Sequence, residues 1–119
     1  MDPKDDVVQA WLTIPEVAER LSVRVTAVRR LLEDRDLVAV RRGERRVLSI
    51  PAGFLDDDGP VAALKGTFTV LADGGFDDEE IIDWLHAPDP SWPAGENALG
   101  AIRAGFKTEV RRRAMEEAM

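Results

Sequence analysis

The sequence predicts a mainly α protein with one small β-hairpin. Three patterns carry that expectation. Two short apolar runs at helical spacing lie near the N-terminus, two β-prone runs flank a glycine just after them, and the second half holds helical runs separated by glycines and prolines. Apolar residues make up 45% of the 119 positions, enough for a real core.

The first helix starts at a capping box, Thr13 with Glu16, and tolerates Pro15 in its first turn. Ile14, Val17, Ala18 and Leu21 follow at i, i+3, i+4 and i+7, which places them on one face. Ser22-Val23 breaks the pattern. A second helix is expected from about Val25 to Asp34, with Val25, Val28 and Leu32 inward and Leu31 at the edge. Arg24, Thr26, Ala27, Arg29 and Arg30 are left facing outward. Beyond Leu37, the runs Val38-Ala39-Val40 and Val47-Leu48-Ser49-Ile50 flank a polar turn at Gly43, which reads as a hairpin carrying Arg41, Arg42, Arg45 and Arg46.

Charge is distributed unevenly. The net charge of −7 argues at first against a polyanionic partner. Between Arg20 and Arg46, however, nine arginines face four acids, a local +5 that leaves −12 for the rest. Salt screens charges beyond roughly 8–10 Å, so a phosphate backbone would feel the local patch first. Two short helices with the cations on the second suit a helix-turn-helix, whose second helix presents residues to base edges in the major groove. Arg24, Thr26, Arg29 and Arg30 are the candidates there. Arg41, Arg42, Arg45 and Arg46 are the candidates for phosphate contact from the hairpin, the wing of a winged helix-turn-helix.

Residues 12–55 resemble the excisionase and MerR-type winged helix-turn-helix. The resemblance rests on Leu12-Thr13, Glu16-Val17-Ala18, Leu21, Thr26, Val28 and Leu37-Val38-Ala39-Val40-Arg41. Two departures stand out. Arg24 occupies the start of the recognition helix, where the family often has Ser, so the N-cap is lost or shifted. The wing is about two residues longer, which leaves open which arginine sits at its tip.

The second half begins after Asp56-Asp57-Asp58-Gly59-Pro60, read as an acidic, helix-breaking linker; Phe54 stands where a calcium loop would need its first ligand. The expected domains are therefore 10–55 and 60–119. Val61 to Asp73 reads as a helix with Leu64, Phe68 and Leu71 on one side, weakened by Gly66 and stopped by Gly74-Gly75. Asp77 and Glu80 have N-cap spacing, and the acidic run Asp77 to Glu80 suits the positive end of a helix dipole. Phe76, Ile81, Ile82, Trp84 and Leu85 are core or docking residues. His86, near that helix end, has a local capping or dipole role. Ala87 to Pro93 is a rigid loop with three prolines. Asn97 caps a helix from Ala98 to Ala104, Gly105 breaks it, and a last helix runs from Phe106 to Met119. Its run Arg111-Arg112-Arg113 is expected to balance acidic helices and the helix C-terminus rather than to touch phosphates.

The whole chain also resembles a small actinobacterial DNA-binding protein family with a C-terminal helical domain. That likeness rests on Leu71, Gly74, Gly75, Phe76, Glu80, Ile81, Trp84, Leu85, Pro88, Asp89 and Pro90. It implies duplex DNA as partner. It also implies a Ser/Thr kinase, since at least one member is phosphorylated on a threonine of its N-terminal tail. Met1 to Leu12 holds no Ser or Thr here, so that site is not carried over. The Trp84-Leu85 to Pro90 segment and the Leu99, Gly105, Val110 spacing resemble, more weakly, the toxin-binding domain of some antitoxins. That gives the alternative expectation, a protein-interaction module in which an exposed Trp84 or Trp92 anchors a protein partner.

Other classes are not expected. The chain has no cysteine and a single histidine, so thiolate metal sites and most histidine-based arrangements are excluded. No phosphate-binding Gly-Lys loop, nucleophile elbow or dinucleotide fingerprint occurs. The expectation is a non-enzymatic regulator of transcription without cofactor or metal, cytoplasmic and not membrane-bound. No heptad run of the length used for MerR-type dimerisation exists, and oligomeric state stays open.

Overall fold

The computed structural model describes residues 8, 10–94 and 96–118. Residues 1–7 and 9 of the N-terminal tail to which the kinase expectation refers, and the final residue of the expected last helix, lie outside them.

A short strand opens the fold. Trp11–Thr13 (β1) leads directly into helix α1, Ile14–Leu21. The capping box forms as expected, with Glu16 N–H donating to Thr13 Oγ1 at 3.4 Å and Thr13 N–H to Glu16 Oε1 at 2.9 Å. That backbone donor holds the Glu16 carboxyl below its ordinary pKa. Ile14, Val17 and Ala18 are buried, and Leu21 is half-buried. Ser22 takes a left-handed conformation (φ 57°), and Val23 N–H closes the turn on Ala18 O at 2.9 Å.

Helix α2, Val25–Glu33, starts at Arg24 without a side-chain cap, in line with the missing Ser. Only Val28 is fully buried; Leu31 and Leu32 are half-buried. Val25 corrects the sequence reading. It lies in the first turn, ahead of the covered stretch, and stays 37% exposed.

The expected hairpin forms from β2 (Val40–Arg42) and β3 (Val47–Pro51), paired antiparallel. The sheet has a third strand that periodicity did not reveal. β1 pairs with the other edge of β3, Leu12 opposite Ile50, so the order is β1-β3-β2. Three residues are too few to show an alternation, and the capping box beside them dominates the local signal.

The acidic joint is also different from expectation. A 3-10 turn (Ala52–Phe54) runs into a second small hairpin, β4 (Leu55–Asp56) and β5 (Gly59–Pro60). Asp56 Oδ1 accepts from Asp58 N–H at 3.0 Å and Gly59 N–H at 3.1 Å, so the aspartates build the turn. Phe54 and Leu55 are buried, and Phe54 meets Phe68 at 5.2 Å between ring centres.

Four helices complete the fold: α3 (Leu64–Asp73), α4 (Asp78–His86), α5 (Ala98–Arg103) and α6 (Lys107–Glu117). Leu64, Phe68 and Leu71 are buried as their spacing predicts. Gly66, read as a weak point, is the place where α6 comes close: a Cβ there would collide with the Arg111 guanidinium. Asp77 and Glu80 form a reciprocal capping box on α4, and Asn97 caps α5 through Gly100 N–H at 2.7 Å. One apolar cluster runs from Ile14 and Val28 through Ile50 and Phe54 to Leu85 and Val110.

His86 is 6% exposed, with Nδ1 donating to Ile82 O at 2.8 Å and the ring 5.7 Å from Phe54. The hydrogen bond is local, as expected, but it reaches a carbonyl inside the helix and caps no terminal one; a charge–dipole role is also missing, because burial lowers the imidazole pKa below its ordinary 6.5. The unfolded chain therefore takes up a proton near pH 6.5 that the native chain does not. Stability is expected to fall as pH drops below about 6.5 toward the native pKa. The perturbed carboxyls Glu16, Asp89 and Glu109 are lowered from values at or under 4.5 and act only at more acid pH. Thermal unfolding at pH 7.5 and 5.5 should show the drop, and His86→Gln should flatten it; an equal drop in the variant would contradict this account.

Candidate nucleic-acid interface

The hairpin turn places its cations by backbone geometry. Gly43 (φ 77°) and Arg46 (φ 54°) both adopt left-handed conformations, and Arg46 N–H bonds Gly43 O at 3.1 Å. The tip therefore consists of Gly43, Glu44, Arg45 and Arg46, which settles the question of the longer wing in favour of Arg45 and Arg46. Both are exposed, and no ion pair among the described residues engages either.

Arg41 and Arg42 sit lower, on β2, where successive side chains point to opposite faces. Arg41 is exposed and donates from Nη1 to Arg46 O at 2.9 Å. It lines a shallow groove with Arg29 of α2, the start of α1 at Thr13 and Pro15, and Val47 and Leu48 of β3. Recognition helix and wing thus open onto one shared surface. Arg42 turns the other way. Its guanidinium lies over the Trp11 ring, 4.2 Å from the centroid, and the residue is half-buried. Strand alternation gives Arg42 a positioning part, bracing the wing against β1. Trp11 is the residue that sequence reasoning missed, because its strand went unrecognised.

On α2, Arg24, Thr26, Arg29 and Arg30 are all exposed as expected. Arg30 has Asp34 at 4.0 Å, a loose pair at 82% and 57% side-chain exposure that is worth little in water. Val23, Val25 and Val47 add exposed apolar surface around this face. The far end of the helix is anchored on the second half. Arg35 Nη2 bonds Asp78 Oδ1 at 2.9 Å, and Lys65 lies 3.4 Å from Asp36.

The arginines of α6 behave differently. Arg112 bonds Glu109 and Glu116, each at 2.7 Å, and Arg113 bonds Glu109 at 2.9 Å and Ser91 Oγ at 2.8 Å. Those contacts hold the Glu109 carboxyl below its usual pKa, Arg112 contributing most. Both are engaged in ion pairs, as expected, but among the described residues these are with carboxylates of α6 itself and not with the acidic helices or the helix C-terminus. Arg113 also stacks on Trp92 at 4.1 Å, and Trp84 meets Trp92 edge-on at 5.7 Å. Trp92 is only 8% exposed and Trp84 is half-buried. Neither ring is the exposed anchor that would have favoured the interaction-module reading.

A helix pair, a three-stranded sheet and an arginine-tipped hairpin beside the second helix define a winged helix-turn-helix protein with a helical C-terminal half. Residues 1–55 match the family described as "DNA-binding protein Rv2175c, wHTH domain", and residues 61–118 match "Rv2175c C-terminal domain of unknown function". The chain belongs to the Rv2175c family. It is similar to the DNA-binding protein Rv2175c of Mycobacterium tuberculosis (strain ATCC 25618 / H37Rv), at 47% identity over 79 residues. That match takes in 66% of this chain and spans about half, 53%, of the relative. The NMR structure of Rv2175c is similar at a TM-score of 0.76 and 35% identity, covering all of this chain and 85% of the other.

Proposed function

We propose that this protein binds duplex DNA as a regulator of transcription and acts by binding alone, without catalysis. The observation that carries the reading is the groove shared by Arg29 of α2 and Arg41 of the wing. The first helical turn of α2 supplies Arg24, Thr26 and the exposed Val25, residue types that bond guanine edges or phosphates and contact the thymine methyl. The wing tip supplies phosphate contacts. The matched family carries DNA binding in its name, which supports the same partner.

Titration of a labelled duplex at two salt concentrations tests this. Binding is expected at low salt, with log K falling linearly against log salt. Failure to bind at low salt, or affinity indifferent to salt, would remove the reading. Arg29→Ala is expected to alter which sequences are selected from a random duplex pool, at a cost of about 1–3 kcal/mol on the preferred site. An unchanged preference would reassign Arg29 to a phosphate.

No helix among the described residues is long and apolar enough to cross a membrane.

A further inference from the structure

A second cationic surface lies away from the DNA-facing residues, in a cleft of about 420 Å³ where the two halves meet. Arg20 from the last turn of α1 and Arg103 from the end of α5 line it, with His86 and Asn97, over a floor that includes Leu55 and Leu99. In a chain of net charge −7, no carboxylate is among its described lining residues, and no ion pair among the described residues engages either arginine. Arg103 is held in place: its Nη1 donates to Gly53 O at 2.9 Å and Leu55 O at 3.1 Å, which leaves the rest of the fork available. His86 is buried, and its Nδ1 carries the proton given to Ile82 O. Nε2 is then a bare acceptor, with no protein partner among the described residues.

We propose that this cleft binds a small organic dicarboxylate bearing a hydroxyl group. The two guanidinium groups supply charge-assisted donors for the carboxylates. The hydroxyl supplies the donor that Nε2 needs, and the leucines take the carbon skeleton. Inorganic phosphate matches the arginines and leaves the apolar floor uncovered. Such a ligand would touch both halves at once.

His86 is the single histidine of the chain, so its ring resonances report on the cleft without ambiguity. The full-length protein is titrated with malate at fixed ionic strength, following the ring nitrogens by NMR. A saturable shift of Nε2 is expected. Arg20→Gln, an exposed position outside the core, should weaken it about tenfold or more. Succinate, which lacks the hydroxyl, should bind more weakly than malate, and inorganic phosphate more weakly still. Absence of a saturable shift at millimolar malate, or an unchanged affinity in Arg20→Gln, would overturn the site. Equal binding of succinate, or tighter binding of phosphate, would overturn the ligand class. Because neither arginine belongs to the duplex-facing set, failure here leaves the DNA reading intact, and the reverse holds too.

Discussion

Replacing Arg45 and Arg46 together with alanine is expected to weaken binding to every duplex, by about tenfold or more near physiological salt. The slope of log K against log salt should become shallower by about 0.9 for each phosphate that is no longer neutralised, close to two in all. Sequence preference should stay where it was, because groups that touch phosphate position a protein without reading bases. The fold should not change. Both side chains are exposed, and Arg46 serves the turn through its backbone, whose carbonyl accepts from Arg41. Surface changes of this kind stay within about 0.5 kcal/mol of the parent stability. Fluorescence anisotropy with one specific and one scrambled duplex, each at several salt concentrations, reads affinity, salt slope and preference together. An unaltered salt slope would take the wing tip off the phosphates and leave α2 and the groove it shares with Arg41 as the DNA-binding surface. Arg42→Ala is a useful contrast. Its side chain lies on Trp11, so removing it acts through the placement of the wing and not through a phosphate.

That contrast shows where the sequence was legible. Capping boxes at Thr13 and Asp77 announce helix starts because side chain and backbone bond reciprocally within four residues. The i, i+3, i+4 rows of α1 and α3 announce their buried faces for the same reason: the information is local. The arginine cluster was legible as composition, and the exposure of Arg24, Arg29 and Arg30 followed from their positions off the apolar face of α2. What stayed hidden depends on partners distant in the chain. Whether Arg41 or Arg42 faces the groove is fixed by the register of β2 against β3, Arg41 opposite Leu48 and Arg42 opposite Val47. Trp11 acquires its meaning only through pairing with a strand some forty residues later, Trp11 opposite Pro51. Gly66 reads as a defect of α3 in the sequence alone; in the fold the Arg111 guanidinium of α6 lies over it.

Phe54→Ala is expected to be the most destabilising single truncation near the centre of the molecule. The ring is fully buried against Phe68 of α3 and beside His86 of α4. Deleting a buried Phe costs about 3–5 kcal/mol, a large share of the 5–15 kcal/mol by which a domain of this size is stable. The midpoint of thermal unfolding should drop by roughly 10–20 °C. The manner of unfolding is more informative than the amount. The segment that reads as the end of the first half is bonded throughout to the second: Val61 N–H reaches Phe54 O at 2.9 Å, and Arg103 holds the carbonyls of Gly53 and Leu55. Gly53 itself is tight against α5, since a Cβ there would lie 2.8 Å from Leu99 Cδ2. Winged module and helical half should therefore melt in one cooperative transition, and the variant should move that single transition down without splitting it. Calorimetry decides the matter. Two resolved transitions in the parent protein would mean that each half keeps its own stability, and that the apolar cluster between them contributes docking rather than cooperativity.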